Sequence, residues 1–467
     1  MNRRDFLQRS IALPLALTAQ PERRAHVIVL GAGLAGLSAA LELERRGIQV
    51  TVIEARTRSG GRVHTLREPF ADGLYAEAGA ARIQDTHAHT LRYAKRFGLT
   101  LDPFFPSSGS RVTCVAGRRF VGPYELAQVP LDFTEDERRR GHMGNLIHYL
   151  MRHVESLGNT VSENWPAADL SRFELPIDEF CRRQGASAAY LRMIGLGHDL
   201  TGMSTLQFLR ESALSASTKQ WYKIRGGNDS LPKALASALS ENVRYGLPVV
   251  RLEQDDTGVR VICQRDGASP TIRGDYAVCT IPPPVLRRID TAPGWSAGKQ
   301  AALIGVNALP MARTFLQTRT RYWLAQGSHG WAFTDDPMDV WDYTRDQPGS
   351  RGILGAYQSG RPALHASAVP PRERDALIVE RMERVHPGLR DQLEATASYS
   401  WIADQWSLGA SALFDAGQLS EHYQNLRTPE GRIHFAGEHT SPWTGWMNGA
   451  LESGERAAAE VATRAIG

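Results

Sequence analysis

The sequence predicts an α/β protein of more than one domain, with a nucleotide-binding unit at its start. Three observations carry that expectation. The chain has 467 residues, and a domain usually takes roughly 150. Residues 26–54 run strand, glycine loop, helix, strand and acidic residue. Further on, helix-like stretches (Met143 to Val154, Ser187 to Gly195, Arg372 to Val385) share the chain with strand-like ones (Thr314 to Thr318, Ile353 to Tyr357).

Each element has a local reason. His26-Val-Ile-Val-Leu30 is a continuous β-branched run, as a strand covered on both faces requires. It passes directly into Gly31-Ala-Gly33-Leu-Ala35-Gly36, then into Leu37 to Arg46, which has helical apolar spacing and stops at Gly47. A second strand, Gln49 to Ile53, leads to Glu54, 18 positions after Gly36. That order and spacing fit a dinucleotide site. Gly31 permits the tight turn, and Gly33 lets backbone N–H groups approach a pyrophosphate at the helix N-terminus. Gly36 allows close helix–sheet packing, and Glu54 is placed for ribose hydroxyls. A glycine-rich turn with no ligand is the bland alternative.

Composition removes several classes. At 42% hydrophobic and 22% charged residues the chain is neither disordered nor fibrous. The 54 basic residues nearly balance 50 acidic ones and form no basic tail, so nucleic acid is not an expected partner. Cys114, Cys181, Cys263 and Cys279 have no ligand spacing, and no metal is expected. No apolar run approaches the ~18 residues of a membrane span.

At the N-terminus, Asn2-Arg3-Arg4-Asp5-Phe6-Leu7 resembles a twin-arginine export signature, with an apolar stretch from Ile11 to Ala19 behind it. Residues 1–20 are therefore expected to be a signal read by the twin-arginine machinery, placing the protein in the periplasm or outside the cell. That route carries folded proteins, which suits a cofactor loaded before export.

The stretch Glu54-Ala55-Arg56-Thr-Arg-Ser-Gly60-Gly61-Arg62 resembles the second signature of the flavin amine oxidase superfamily, whose Gly-Gly-Arg turn meets FAD. Three further stretches resemble that family in the same order. They are Arg225-Gly226-Gly227 to Pro232, Pro248-Val249-Val250-Arg251, and Arg432 to Thr440 with Gly445-Trp446-Met447. The resemblance is strongest to the bacterial L-amino acid oxidase and flavin monoamine oxidase branch. It implies a discontinuous Rossmann-like FAD-binding domain (residues 25–85, 225–290 and 410–467). It also implies an α+β substrate-binding domain (86–224 and 291–409) with a helical lobe at about 105–222. Besides the glycine loop, the FAD contacts it implies are Gly79, Ala80, Ala81, Arg82, Val250, Trp401, Gly437, Glu438, Gly445, Trp446 and Met447.

The same resemblance bears on substrate. In Glu77-Ala78-Gly79-Ala80-Ala81-Arg82, the arginine stands where L-amino acid oxidases grip the substrate carboxylate and monoamine oxidases have an uncharged residue. A guanidinium matches a carboxylate with parallel N–H donors. An ion-pair or surface arginine is the alternative, since Gln84 replaces the usual proline. The family's aromatic cage is half present. Trp446 supplies one ring, while Ala410 and Ser411 stand at the cysteine and tyrosine of the second segment, so FAD is expected to be non-covalent. Tyr343, Tyr357 or Trp341 are candidates for a new wall, with plain packing favoured for Trp341. Arg313 occupies the place of the family lysine near the flavin N5 edge, which leaves open an oxidase using O2 or a dehydrogenase using an electron carrier.

The expected reaction is oxidation of an L-amino acid at Cα, giving a 2-oxo acid and ammonia. Arg82 binds the carboxylate, Trp446 packs beside the amine and Arg313 polarises the N5 edge. An amine without a carboxylate is the alternative substrate, and an FAD-binding protein or desaturase without amine oxidation is the further one. In the helical lobe only guesses stand for the pocket: Gln207, Glu211 and Trp221. A homodimer is one option for assembly.

Overall fold

The computed structural model describes residues 24–466 except 156, 158–169, 200–201, 266 and 337, so the expected signal at 1–20 lies outside the described residues. The glycine loop is built as its spacing requires. The strand His26–Leu30 pairs in parallel with Gln49–Ile53 on one side and Tyr276–Cys279 on the other, and Ile433–Phe435 completes the four-stranded sheet. One sheet thus draws on three distant stretches of chain. This is the mixed α/β fold with a discontinuous FAD-binding domain that the sequence implies.

The helix after the loop begins at Leu34, immediately after Gly33, and runs to Arg45. It packs along the terminal helix Met447–Ile466. Gly454 makes that crossing close: a Cβ there would lie 2.2 Å from the Ala35 carbonyl oxygen. Ser38 Oγ donates across the same contact to the Leu451 carbonyl at 3.1 Å.

The second layer is a seven-stranded sheet. From one edge its order is Leu393–Ser400, Met311–Thr318, Gly352–Ser359 and then Met338–Asp342, the central strand. The two strands Met311–Thr318 and Gly352–Ser359 are buried throughout. Cross-strand register places Arg313 opposite Tyr357, and Tyr357 opposite Asp339. Neighbours in register share a face, so the three side chains form one row.

The helical lobe includes Glu135–Tyr149, Ile177–Arg183, Ala188–Ile194 and Thr205–Ser215, around a core with Tyr149, Phe173 and Tyr190. The expected start at Met143 falls just after Gly141 (φ 70, ψ 178), where Glu135–Tyr149 breaks into two pieces, and the first piece begins at Glu135. Thr134 caps it: its Oγ1 accepts from the Glu137 N–H at 3.2 Å, and the Glu137 carboxylate accepts from the Thr134 N–H at 2.9 Å. Apolar periodicity registers the second piece and not this polar first one. The helix stops at Tyr149, and a single 3-10 turn follows over Met151–His153.

Replacing Gly454 with alanine forces the two helices apart. Overpacking of this kind costs about 1–3 kcal/mol. The variant should unfold at a lower urea concentration than the parent, and an unchanged midpoint would mean the helices do not meet this closely.

Candidate active site

A cavity runs from the glycine loop, past residues of both sheets, to the helical lobe. At its first end, Gly33, Leu34 and Ala35 bring the helix N-terminus to the wall. That N-terminus has no side-chain cap and no acidic residue in its first turn. A Cβ on Gly33 would meet nothing within 4 Å, so the backbone there faces open space. Free N–H groups with the positive end of a helix dipole and no internal anion suit a pyrophosphate. Gly31 (φ +106) and Gly60 (φ +100) take conformations that side chains rarely adopt, and the Gly60 N–H donates to the Ala32 carbonyl at 2.8 Å. Gly36 does not line the cavity. A Cβ on it would lie 1.9 Å from the Gly31 carbonyl oxygen, so its part is packing.

Glu54 and Ala55 line the next stretch. The Glu54 carboxylate accepts from the Ala32 N–H and the Arg56 N–H, both at 2.8 Å. Arg56 forms a two-pronged pair with Asp404, at 2.8 and 2.9 Å. No motif or spacing points to that partner, 348 positions away. Val250 is 37% exposed and off the wall; Leu247 and Val249 stand on it instead. The pairing register shifts between Val249 and Arg251, which turns the expected residue outward. Thr280 and Pro282 also line the cavity and went unread. They follow the end of the strand Tyr276–Cys279, where open α/β sheets place their ligands.

In the middle of the cavity Gly60, Gly61 and Arg62 face Gly437, Glu438 and Met447. Arg62 Nη1 donates to Glu438 at 2.6 Å and to the Ala410 carbonyl at 3.1 Å. Glu438 also accepts from the Gly445 N–H at 2.7 Å. Burial opposes its charge, but Arg62, His439 and the Gly445 N–H outweigh that and hold its pKa low. This network ties the Gly-Gly-Arg turn to the C-terminal segment. Such a glycine-walled slot, with a dipole end at one extremity, fits a flavin dinucleotide. Among the described residues its lining holds no cysteine or histidine to bond one covalently, and Ala410 is part of it.

Beyond it lies the part open to a substrate. Gly79, Ala80, Ala81 and Arg82 form one edge, with Trp401, Ser411, Gly445 and Trp446 nearby. Trp401 Nε1 donates to the Ala78 carbonyl at 2.7 Å, fixing its ring. Ser411 lies against Gly445, where a Cβ would come within 3.7 Å of it. The Trp446 ring meets His87 edge-on at 5.0 Å, and burial lowers the His87 pKa to about 3, so the imidazole is neutral.

Arg82 is set among rings. Its guanidinium carbon lies 5.2 Å from the Trp341 ring centre and 5.7 Å from those of Trp221 and Trp446. Among the described residues it has no hydrogen bond or ion pair. Trp221 thus belongs to the Arg82 surroundings. Trp341 both packs, stacked on Tyr357 at 5.5 Å, and faces Arg82.

Arg313 and Tyr357 line the cavity from the sheet row. Arg313 is buried, donates to the Glu77 carbonyl, and lies 4.8 Å from the Tyr357 ring centre. Burial raises the pKa of the Tyr357 phenol, against the lowering pull of Arg313 and Arg82, so it stays a protonated donor. Tyr343 is not on this wall. It stands just past the strand end, edge-on to Phe315 at 5.2 Å, and lines a smaller hollow with Phe104, Trp331 and Trp341. Met203, Gln207, Glu211 and Thr444 complete the cavity. Gln207 and Glu211 are one turn apart on the helix Thr205–Ser215, a spacing visible in the sequence, although which face turns inward is not.

The family model of flavin containing amine oxidoreductases matches residues 34–462. The Bacillus subtilis (strain 168) protein YobN, whose name proposes an L-amino-acid oxidase, is 31% identical over 93% of this chain and 94% of its own length. An L-amino-acid oxidase of Bothrops pauloensis is 28% identical over 96% of this chain and 90% of its own. Among solved structures, cyclohexylamine oxidase from Brevibacterium oxydans IH-35A superposes with a TM-score of 0.82 at 22% identity, covering 94% of this chain and 99% of that one. Putrescine oxidase bound to putrescine reaches 0.81 at 23% identity, with the same coverage. At these identities the structural likeness is one of fold.

Acid precipitation of the holoprotein should release all its FAD into the supernatant. Yellow colour retained on the washed precipitate would show a covalent link that this lining does not provide.

Proposed function

The chain belongs to the flavin containing amine oxidoreductases, FAD-dependent enzymes that oxidise an amine or an amino acid, and from that premise we propose that its substrate is an L-amino acid held through its carboxylate by Arg82. The observation that carries this reading is the Arg82 guanidinium, which lines the cavity with no hydrogen bond or ion pair among the described residues. A carboxylate offers that fork two parallel acceptors. The Tyr357 phenol, also on the cavity wall, is a further donor for the same anion. Such a two-donor grip fixes the substrate's orientation, which is most of what a protein contributes to cofactor chemistry. FAD, when bound, supplies the acceptor for the two electrons that leave the substrate carbon and nitrogen.

The chain's own residues do the rest. Trp446, braced by His87, closes the space beside the amine. The rings of Trp221, Trp341 and Trp446 shield part of the guanidinium from water, which strengthens its attraction for a carboxylate. Arg313 holds a fixed positive charge on the sheet row. Because arginine does not give up its proton, its role is electrostatic. The products are a 2-oxo acid and ammonia after hydrolysis of the imino acid, with O2 or an electron carrier as the final acceptor. Export to the periplasm belongs to the same proposal and rests on residues 1–20 alone.

A second reading, an amine without a carboxylate, is favoured by one observation: Glu211 also lines the cavity, as a half-buried carboxyl group suited to a cation.

The test is Arg82→Met. Removing one member of a buried charged pair costs about 2–5 kcal/mol, so the efficiency of anaerobic flavin reduction by amino acids should fall about 30-fold or more. FAD content should be unchanged. Arg82→Lys should recover only part, since an ammonium lacks the fork. Parental efficiency in Arg82→Met with full FAD content would end the amino acid reading.

A further inference from the structure

The charged side chains lining the cavity are mostly answered within the protein. Glu54 accepts two backbone N–H groups, Arg56 pairs with Asp404, Arg62 pairs with Glu438, and Arg313 donates to a carbonyl. Two retain capacity among the described residues. One is Arg82, and the other is Glu211, on the helical lobe.

The Glu211 carboxyl has one hydrogen bond, from Gln207 Nε2 to Oε1 at 2.9 Å. That amide is not free to turn. Its own Oε1 accepts from the Phe414 N–H at 3.0 Å, so only its NH2 group faces Glu211. Glu211 is thereby fixed as an acceptor, and its second oxygen has no protein donor. Its neighbour Arg210 turns elsewhere, donating to Thr444 Oγ1 at 2.6 Å. Partial burial raises the Glu211 pKa, and a cation beside the carboxyl group would favour its charged form.

We propose that Glu211, oriented by Gln207, receives a cationic group at the end of the substrate side chain, so that the amino acid accepted is a basic one with its carboxylate on Arg82 and its distal cation on Glu211. The proposal rests on the reading of Arg82 given above. A distal cation suits Glu211 better than the α-ammonium does. Oxidation at Cα needs the α-amine free of its extra proton, and a carboxylate that stabilised the ammonium form would oppose this. A distal cation keeps its charge throughout and, once out of water, needs a lasting counter-charge. The position also fits, because Glu211 and Gln207 come from the helical lobe while Arg82 comes from the edge that carries Gly79.

The test compares two carboxylates of equal chain length and no α-amine, hexanoate and 6-aminohexanoate, binding anaerobically to the FAD-loaded protein in a calorimeter. The wild type should bind 6-aminohexanoate about 30-fold more tightly or better, the scale of a buried, hydrogen-bonded charge pair. Glu211→Gln should bring the two affinities together by weakening 6-aminohexanoate alone. Equal affinities in the wild type, or a preference that survives Glu211→Gln, would overturn the proposal. So would bleaching of the flavin by 6-aminohexanoate, which would put its amine at the flavin. Should Glu211→Gln fail to load FAD, the wild-type comparison decides. Arg82→Met separates the two readings: it should weaken both ligands alike, and if it weakens neither, the carboxylate reading fails while the Glu211 comparison still stands.

Discussion

The Arg82 guanidinium reaches the wall of the cavity among the rings of Trp221, Trp341 and Trp446, and no carboxylate among the described residues touches it. Ring faces attract a guanidinium by about 0.5–2 kcal/mol each. Taking such a charge out of water costs several kcal/mol, so the rings alone do not satisfy it. In the proposed reading, a substrate carboxylate that enters the cavity completes the site. The surrounding architecture serves that requirement, since it brings a fixed cation, a flavin slot and an aromatic wall to one place.

The slot depends on contacts between distant stretches of chain. Arg62 and Glu438 join the Gly-Gly-Arg turn to the C-terminal segment, and Arg56 and Asp404 join the first strand pair to the loop before Ala410. The terminal helix fits against the first helix only because Gly454 leaves room. Strand register on the second sheet then brings Arg313 and Tyr357 side by side to the cavity wall. Substrate chemistry therefore depends on a flavin domain assembled from pieces and on a sheet whose register is fixed by its buried strands.

What the sequence made legible was mainly local. The glycine loop, Glu54, and the Gly60–Arg62 turn work through backbone geometry over a few residues, and spacing alone exposes them. The C-terminal segment was legible through its resemblance to a known family. Side chains selected by strand face were harder. Tyr357 and Tyr343 looked alike in sequence, yet register puts the first on the cavity wall opposite Arg313, and the second sits past a strand end against Phe315. Val250 was lost to a one-residue irregularity that turned Val249 inward. Gln207 and Glu211 had a readable helical spacing, but their inward face is a tertiary fact. Their role as a pair depends on the Phe414 N–H, 207 positions away.

The claim at the centre is that the cavity is built around a substrate carboxylate. It is tested most directly by titrating the wild-type holoprotein anaerobically with an L-amino acid and, separately, with the amine left when that amino acid loses its carboxylate. The amino acid should bleach the flavin at far lower concentration than the amine. Equal bleaching by both, or bleaching by the amine alone, would contradict it.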